Sequence, residues 1–163
     1  MPSYPAVLAG VSCLETIGEC PSLASLPACS IGLGRTSDGL AVYVVNSSSL
    51  FERPGTPYGD TAGRDWPDNN IRFARFSAAA ACVAAGLVDR HWRADLVHAN
   101  DWQSALIPAY LSWAEARVPS IFTIHNLAYQ GLFARNCLRE IGAPESSFHL
   151  EGVEFYNKLS FLK

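Results

Sequence analysis

Two short polar clusters, each placed directly after an apolar run, carry the chemistry this sequence can do. Asn100-Asp101-Trp102-Gln103 follows Leu96-Val97-His98-Ala99, and His125-Asn126 follows Ser120-Ile121-Phe122-Thr123-Ile124. Together they offer a carboxylate, an imidazole, side-chain amides and an indole. Sugar hydroxyls need donors and acceptors in fixed positions and an aromatic face for the ring, so the set reads as a sugar site. Each residue also has a plainer reading. Asp101 could cap the helix that follows it, and His98 could be a hydrogen-bonded core histidine. Trp102 could be ordinary core, and His125-Asn126 a strand-ending turn.

What joins the clusters is the elements that precede them. Leu96–Ala99 and Ser120–Ile124 read as short buried strands, with a helix from Gln103 to about Ala116 between them. That helix would be roughly 21 Å long, which suits the return path of a βαβ unit with a right-handed crossover. Parallel strands put both carboxyl ends on one edge of the sheet, where open α/β proteins bind ligands. If the strands are neighbours, Asp101 and His125 stand within about 12 Å of each other. The fold class expected is α/β with an open, mostly parallel sheet and helices on both faces.

Upstream, Ser30–Arg35 and Ala41–Asn46 read as strands joined by Ser37-Asp38-Gly39, and Val42–Val45 is a continuous β-prone run. Residues 51–69 read as loop. A helix then follows, with Asp65 or Asp68 as its cap, Pro67 in its first turn and Gly86 as its stop. Ile71, Ala74, Ala78, Ala81 and Ala85 form one apolar face, widened by Phe73, Phe76, Ala80 and Leu87. Its alanines allow close approach to a sheet. The final Leu159-Ser160-Phe161-Leu162-Lys163 has apolar helical character without a stop signal. Residues 1–39 are interrupted by Pro2, Pro5, Pro21, Pro27 and several glycines and show no long period.

Bulk composition narrows the function classes. With 163 residues, 49% hydrophobic and 17% charged, the chain suffices for one domain with a core. A net charge of −3 gives no basic field for nucleic acid or an anionic membrane surface. No apolar run reaches the roughly 18–20 residues of a membrane span, and Met1-Pro2-Ser3-Tyr4-Pro5 lacks signal-peptide character. A cytoplasmic protein is expected. Five cysteines (Cys13, Cys20, Cys29, Cys82, Cys137) without a Cys-x-x-Cys pair read as small buried hydrophobes in a reducing compartment. Gly32-Leu33-Gly34 lacks the third glycine of a dinucleotide fingerprint, which removes the support for a nucleotide-dependent oxidoreductase. There is no P-loop, no Gly-x-Ser-x-Gly, no His-Glu-x-x-His and no Asp-x-Asp, so no metal site is expected.

Several segments in one order resemble the glycogen and starch synthase family. Leu50–Asp60 is similar to its LYDRPG-PY-D loop, with Asp65-Trp66-Pro67-Asp68-Asn69 and Arg72-Phe73 continuing it. Trp92–Trp102 resembles WRPDVVHAHDWH, Thr123–Gly131 matches TIHNLAYQG, and Glu154–Lys163 is similar to EFYGQLSFLK. The resemblance runs from about Tyr43 to the end, and weakly back to Met1-Pro2-Ser3-Tyr4-Pro5. It implies a hexosyltransferase that moves glucose from ADP-glucose to the non-reducing end of an α-1,4-glucan such as glycogen. Transfer is with retention and without a metal or other cofactor, in the cleft between two Rossmann-like domains (the GT-B arrangement).

Carried onto this chain, the resemblance makes His125 and Asp101 the catalytic pair, His125 at the donor glucose and Asp101 organising its pocket. Asn126, Trp102 and Tyr58 become substrate-binding residues. Asn100 and Gln103 stand where the family motif has histidines. It also makes residues 1–163 part of the N-terminal catalytic domain. The first strand with its Lys-x-Gly-Gly-Leu loop and the whole C-terminal domain are expected outside it, and the chain alone is expected to be inactive. The alternative is a noncatalytic glucan-binding or regulatory remnant of such an enzyme.

Overall fold

The computed structural model describes residues 1–163. In chain order it contains α1 (Pro5–Gly10), β1 (Ser12–Cys20), β2 (Cys29–Arg35), β3 (Ala41–Asn46), α2 (Ser48–Phe51) and α3 (Asn69–Ala84). Then follow β4 (Val97–Asn100), α4 (Leu106–Trp113), β5 (Ser120–Thr123), β6 (Leu132–Phe133), α5 (Cys137–Glu140), a 3-10 turn at Glu145–Ser147, β7 (Glu154–Phe155) and β8 (Lys158–Ser160).

The strands form three small sheets instead of one open, mostly parallel one. β1-β2-β3 is antiparallel, β6-β8-β7 is antiparallel, and only β4-β5 is parallel. The reason lies in the connections. Thr36–Leu40 turns β2 straight back into β3, with Thr36 N–H donating to Leu40 C=O at 3.0 Å and Gly39 at φ +86°. A link that short can only return the strand antiparallel. The crossover through α4 gives the one parallel pair of strands.

α3 is the organising helix. Phe73, Ala74, Ala78, Ala81 and Ala84 belong to one apolar cluster, with Leu106, Ile107, Tyr110 and Leu111 of α4. Ala79 and Val83 belong to a second, with Ile31, Val45, Leu50 and Phe51. A helix buried on two sides packs closest when its side chains are small, which accounts for the alanine run. The helix ends where Gly86 takes φ +73°, as its sequence implies. Leu87, however, is 69% exposed and widens no face. Nor does Asp68 cap the helix through its side chain. Its carboxylate instead takes a fork of two bonds from Arg53, at 2.8 and 2.7 Å, a stronger partner than a backbone N–H.

Around the sheet edge, α4 is shorter than the sequence pattern suggests. Pro108 has no N–H to give to the carbonyl of Ser104, so it fits only in a first turn. The helix therefore begins at Leu106, and residues 102–105 make a turn. Glu115 at φ +54° ends it before Ala116. The carboxyl-terminal segment also departs from its apparent helical pattern. Tyr156 and Asn157 both take positive φ, the signature of a two-residue hairpin. The turn makes Lys158–Ser160 the central strand between β6 and β7, with Leu159 and Phe161 buried. No helix is long and apolar enough to cross a membrane.

Candidate functional site

β4 and β5 run in register from Val97 beside Ser120 to Asn100 beside Thr123. Both polar clusters therefore leave the sheet at the same edge. Asp101 follows at φ +57°, a left-handed conformation uncommon outside glycine and best tolerated by Asp and Asn. Its N–H continues the ladder to Thr123 C=O at 2.9 Å. Its carboxylate then reaches across, with Oδ1 accepting the backbone N–H of His125 at 2.8 Å. Bond lengths and that contact keep the two Cα atoms within about 8 Å. Asp101 thus does not spend its side chain as a helix cap. It ties the turn after β4 to the turn after β5, in a strained backbone of the kind that concentrates at functional sites.

The side chain of His125 is exposed. Its Nε2 is 2.9 Å from Asn100 Oδ1. An amide oxygen only accepts, so in this contact Nε2 carries a hydrogen. Asn100 thereby holds the ring in its orientation. His98 is hydrogen-bonded, to Thr123 Oγ1 at 2.7 Å, but it is exposed and not a core residue.

Beside the edge opens a cavity of about 670 Å³, the size of a small-molecule site. Asp101, Trp102, Asn126 and Tyr58 line it; His125 does not. Asn126 folds its Oδ1 onto the N–H of Ala128 at 3.0 Å, shaping the turn under the cavity. Gln103 donates to the Tyr58 hydroxyl at 3.0 Å, so the second residue at a family histidine position braces the rim. Trp102 is half-buried and edge-on to Phe73, ring centres 4.8 Å apart, with the rings of Phe133 and Phe161 also close, at 6.1 and 6.3 Å. It is both core and wall, and the two readings of this residue are not exclusive.

Sequence reasoning missed part of this lining. Asp65, Asn69, Tyr129, Gln130 and Phe133 also face the cavity. Asn69 is the most constrained, its amide donating to Tyr58 C=O at 2.9 Å. The signal available was its place beside Asp65 and Pro67 at the start of a helix, which reads as capping chemistry alone. Gly131 closes the Thr123–Gly131 motif. It sits at φ +59°, where an added Cβ would stand 2.4 Å from Trp102 Cε3. Gly131→Ala is expected to cost about 1–3 kcal/mol by overpacking and to push the indole into the cavity. A lowered urea midpoint with altered tryptophan emission checks this; an unchanged midpoint contradicts it.

The family model described as starch synthase catalytic domain matches residues 1–163. The chain belongs to that family. It is 60% identical over 163 residues to Glycogen synthase 1 of Bradyrhizobium diazoefficiens, covering all of this chain and 35% of that protein. It is 53% identical to the Glycogen synthase of Pseudomonas fluorescens Pf-5, again across the whole chain and 31% of the relative. The Glycogen synthase of Pseudomonas aeruginosa PAO1 is 51% identical over the same span, 32% of its length. The chain spans about a third of the length of the curated relatives it matches.

Proposed function

We propose that this chain supplies the donor-sugar edge of an ADP-glucose-dependent α-1,4-glucosyltransferase that extends glycogen with retention. The observation that carries the reading is the Asp101–His125 tie at the joint carboxyl edge of β4 and β5, beside a cavity of sugar size. Identity of 60% to a glycogen synthase across every residue supports it. In this reading residues 1–163 are part of the N-terminal of two Rossmann-like domains in the GT-B arrangement. The adenosine diphosphate rests mainly on the other domain. A cytoplasmic setting, where nucleotide sugars are made, goes with the proposal.

The chemistry follows from what the edge can offer. Breaking the bond between the glucosyl carbon and diphosphate develops positive charge on the sugar ring. The Asp101 carboxylate, held in place beforehand, favours that charge without reorganising. His125 stands at the joint edge just outside the cavity lining; with Nε2 turned to Asn100, its Nδ1 is left for a sugar hydroxyl that projects over that edge. Asn126 and Tyr58 add polar contacts, and Trp102 gives the ring an apolar face. Neither a metal nor another cofactor enters the proposed reaction, whose partners are ADP-glucose and an α-1,4-glucan.

The leaving diphosphate needs cationic or helix-terminal stabilisation, and the cavity lining contains no Lys or Arg. The isolated 163-residue chain is therefore expected to transfer no labelled glucose from ADP-glucose to glycogen above a blank. Exchanged for the matching segment of the Bradyrhizobium diazoefficiens enzyme, the same residues are expected to support transfer. Activity of the isolated chain would overturn the division of labour. An inactive but folded chimera would favour a noncatalytic glucan-binding or regulatory remnant.

A further inference from the structure

Away from the sheet edge, the second apolar cluster brings three thiols together. Cys20 ends β1, Cys29 begins β2, and the two are direct antiparallel partners. Residues so paired have Cα atoms about 4.5–5.5 Å apart, inside the roughly 4.4–6.8 Å span of disulfides. Both are buried, and the half-buried Cys82 of α3 packs on the same cluster. These thiols are not arranged with other ligands to hold a metal ion.

Arg75 supplies a second, independent observation. It is 2% exposed, and its Nη1 donates to Pro21 C=O at 2.9 Å and Pro27 C=O at 3.1 Å. Those carbonyls stand near the two ends of the loop between Cys20 and Cys29, so the guanidinium keeps the strand ends in register. Its Nε is buried without any partner. A buried cationic donor left open is costly and favours an anion beside it. Hydrogen bonding from the Cys20 thiol, with help from the Arg75 charge, draws Cys82 down to about 7. Cys29 is lowered by the same two influences, and Cys20 is raised by its two thiol neighbours. The cluster thus sets two thiols that give up a proton more readily beside one that holds its proton more tightly.

We propose that Cys20, Cys29 and Cys82 form a peroxide-reactive thiol site that closes into a cross-strand Cys20–Cys29 disulfide. Cys82, the most accessible of the three, attacks a peroxide oxygen as thiolate; the O–O bond breaks, leaving a sulfenic acid and, after protonation, water. Cys20 displaces the hydroxyl from that sulfur as a second water and forms Cys20–Cys82. Cys29 attacks Cys20 and releases Cys82 as thiolate. The net change takes two electrons and two protons from Cys20 and Cys29 and turns one hydrogen peroxide into two waters. A dithiol reverses it by exchange, becoming a disulfide itself.

The test treats the reduced 163-residue chain with hydrogen peroxide, blocks remaining thiols with N-ethylmaleimide and maps the label by mass spectrometry. The expected product is a Cys20–Cys29 peptide lighter by two hydrogens, with Cys13, Cys82 and Cys137 labelled. Cys82→Ser, and equally Cys82→Ala, slow its appearance by about tenfold or more, because the thiolate is the entry point. Cys29→Ser accumulates Cys20–Cys82, and replacing Cys13 and Cys137 together changes nothing. A parallel sample in guanidinium gives mixed pairings spread over all five cysteines, with at least one left unpaired in each chain. Native pairing that matches the unfolded sample, absence of the Cys20–Cys29 product, or an unchanged rate in both Cys82 variants overturns the proposal.

Discussion

Replacing Arg72 with Ala is expected to lower the unfolding free energy by about 2–4 kcal/mol, the scale for losing hydrogen bonds from a charged group and leaving buried acceptors open. That is a large share of the roughly 5–15 kcal/mol that holds an ordinary domain. Arg72 is 1% exposed, and burial pulls its pKa below the usual arginine range. Its Nε donates to Leu50 C=O at 2.7 Å, and Nη1 to Pro57 C=O at 2.8 Å and Asn69 Oδ1 at 2.6 Å. The guanidinium also lies over the rings of Phe51, Trp66 and Phe73. Ala would leave these carbonyls unsatisfied and open a void among the rings. Lys, without the planar fork, restores little. Because Arg72 pins both ends of the loop that carries Tyr58, the cavity rim should loosen with it. Urea unfolding measures the loss, and a change below about 1 kcal/mol would mean that water takes over the contacts.

The second large effect is kinetic. In the chimera with the Bradyrhizobium diazoefficiens enzyme, His125→Ala is expected to raise the barrier by about 2–4 kcal/mol. That corresponds to roughly 30- to 1000-fold in kcat, while the Kd for ADP stays nearly unchanged. A contact that strengthens as charge and ring distortion develop acts on turnover; the nucleotide is held elsewhere. Asp101→Asn should act similarly. The amide oxygen can still accept the His125 N–H, so the tie of 2.8 Å survives while the charge is lost. Unchanged kcat with ADP binding weakened by the same factor would make His125 a nucleotide-binding residue.

The sequence exposed elements wherever a pattern was local and uninterrupted. Val42–Val45 marked β3 because β-branched runs suit a covered strand, and its span is Ala41–Asn46 in the structure. The βαβ unit and its shared edge were legible because strand, crossover and strand follow one another within one stretch of chain. Reading that unit as the whole sheet was the error, since short links return β1, β2 and β3 antiparallel to one another. β1 escaped because its pairing is irregular near Ser12–Glu15 and Thr16–Gly18, which breaks the alternation a reader looks for. Leu159–Lys163 passed for helix because five residues are too few to tell the periods apart. The positive-φ pair Tyr156-Asn157, where the family motif has Tyr-Gly, was the better signal.

At the site, residue types identified the chemistry, but contacts assigned the roles. Nothing in the order Asn100-Asp101 says that one side chain fixes the imidazole and the other the backbone of the same histidine. Those bonds join positions about two dozen residues apart and exist only once β4 and β5 are in register. Asn69 and Gly131 belong to the cavity for the same reason, through approach to Tyr58 and Trp102.

The most direct test of the central claim is a crystal structure of the chimera with ADP-glucose bound. The expected result is a glucosyl ring at the joint edge of β4 and β5, in the cavity beside Asp101 and Trp102. A sugar hydroxyl should lie within hydrogen-bond distance of His125 Nδ1, with adenine and diphosphate held chiefly by the second domain. A glucosyl group bound away from that edge, with Asp101 and His125 still tied to each other and touching nothing of the donor, would contradict the account.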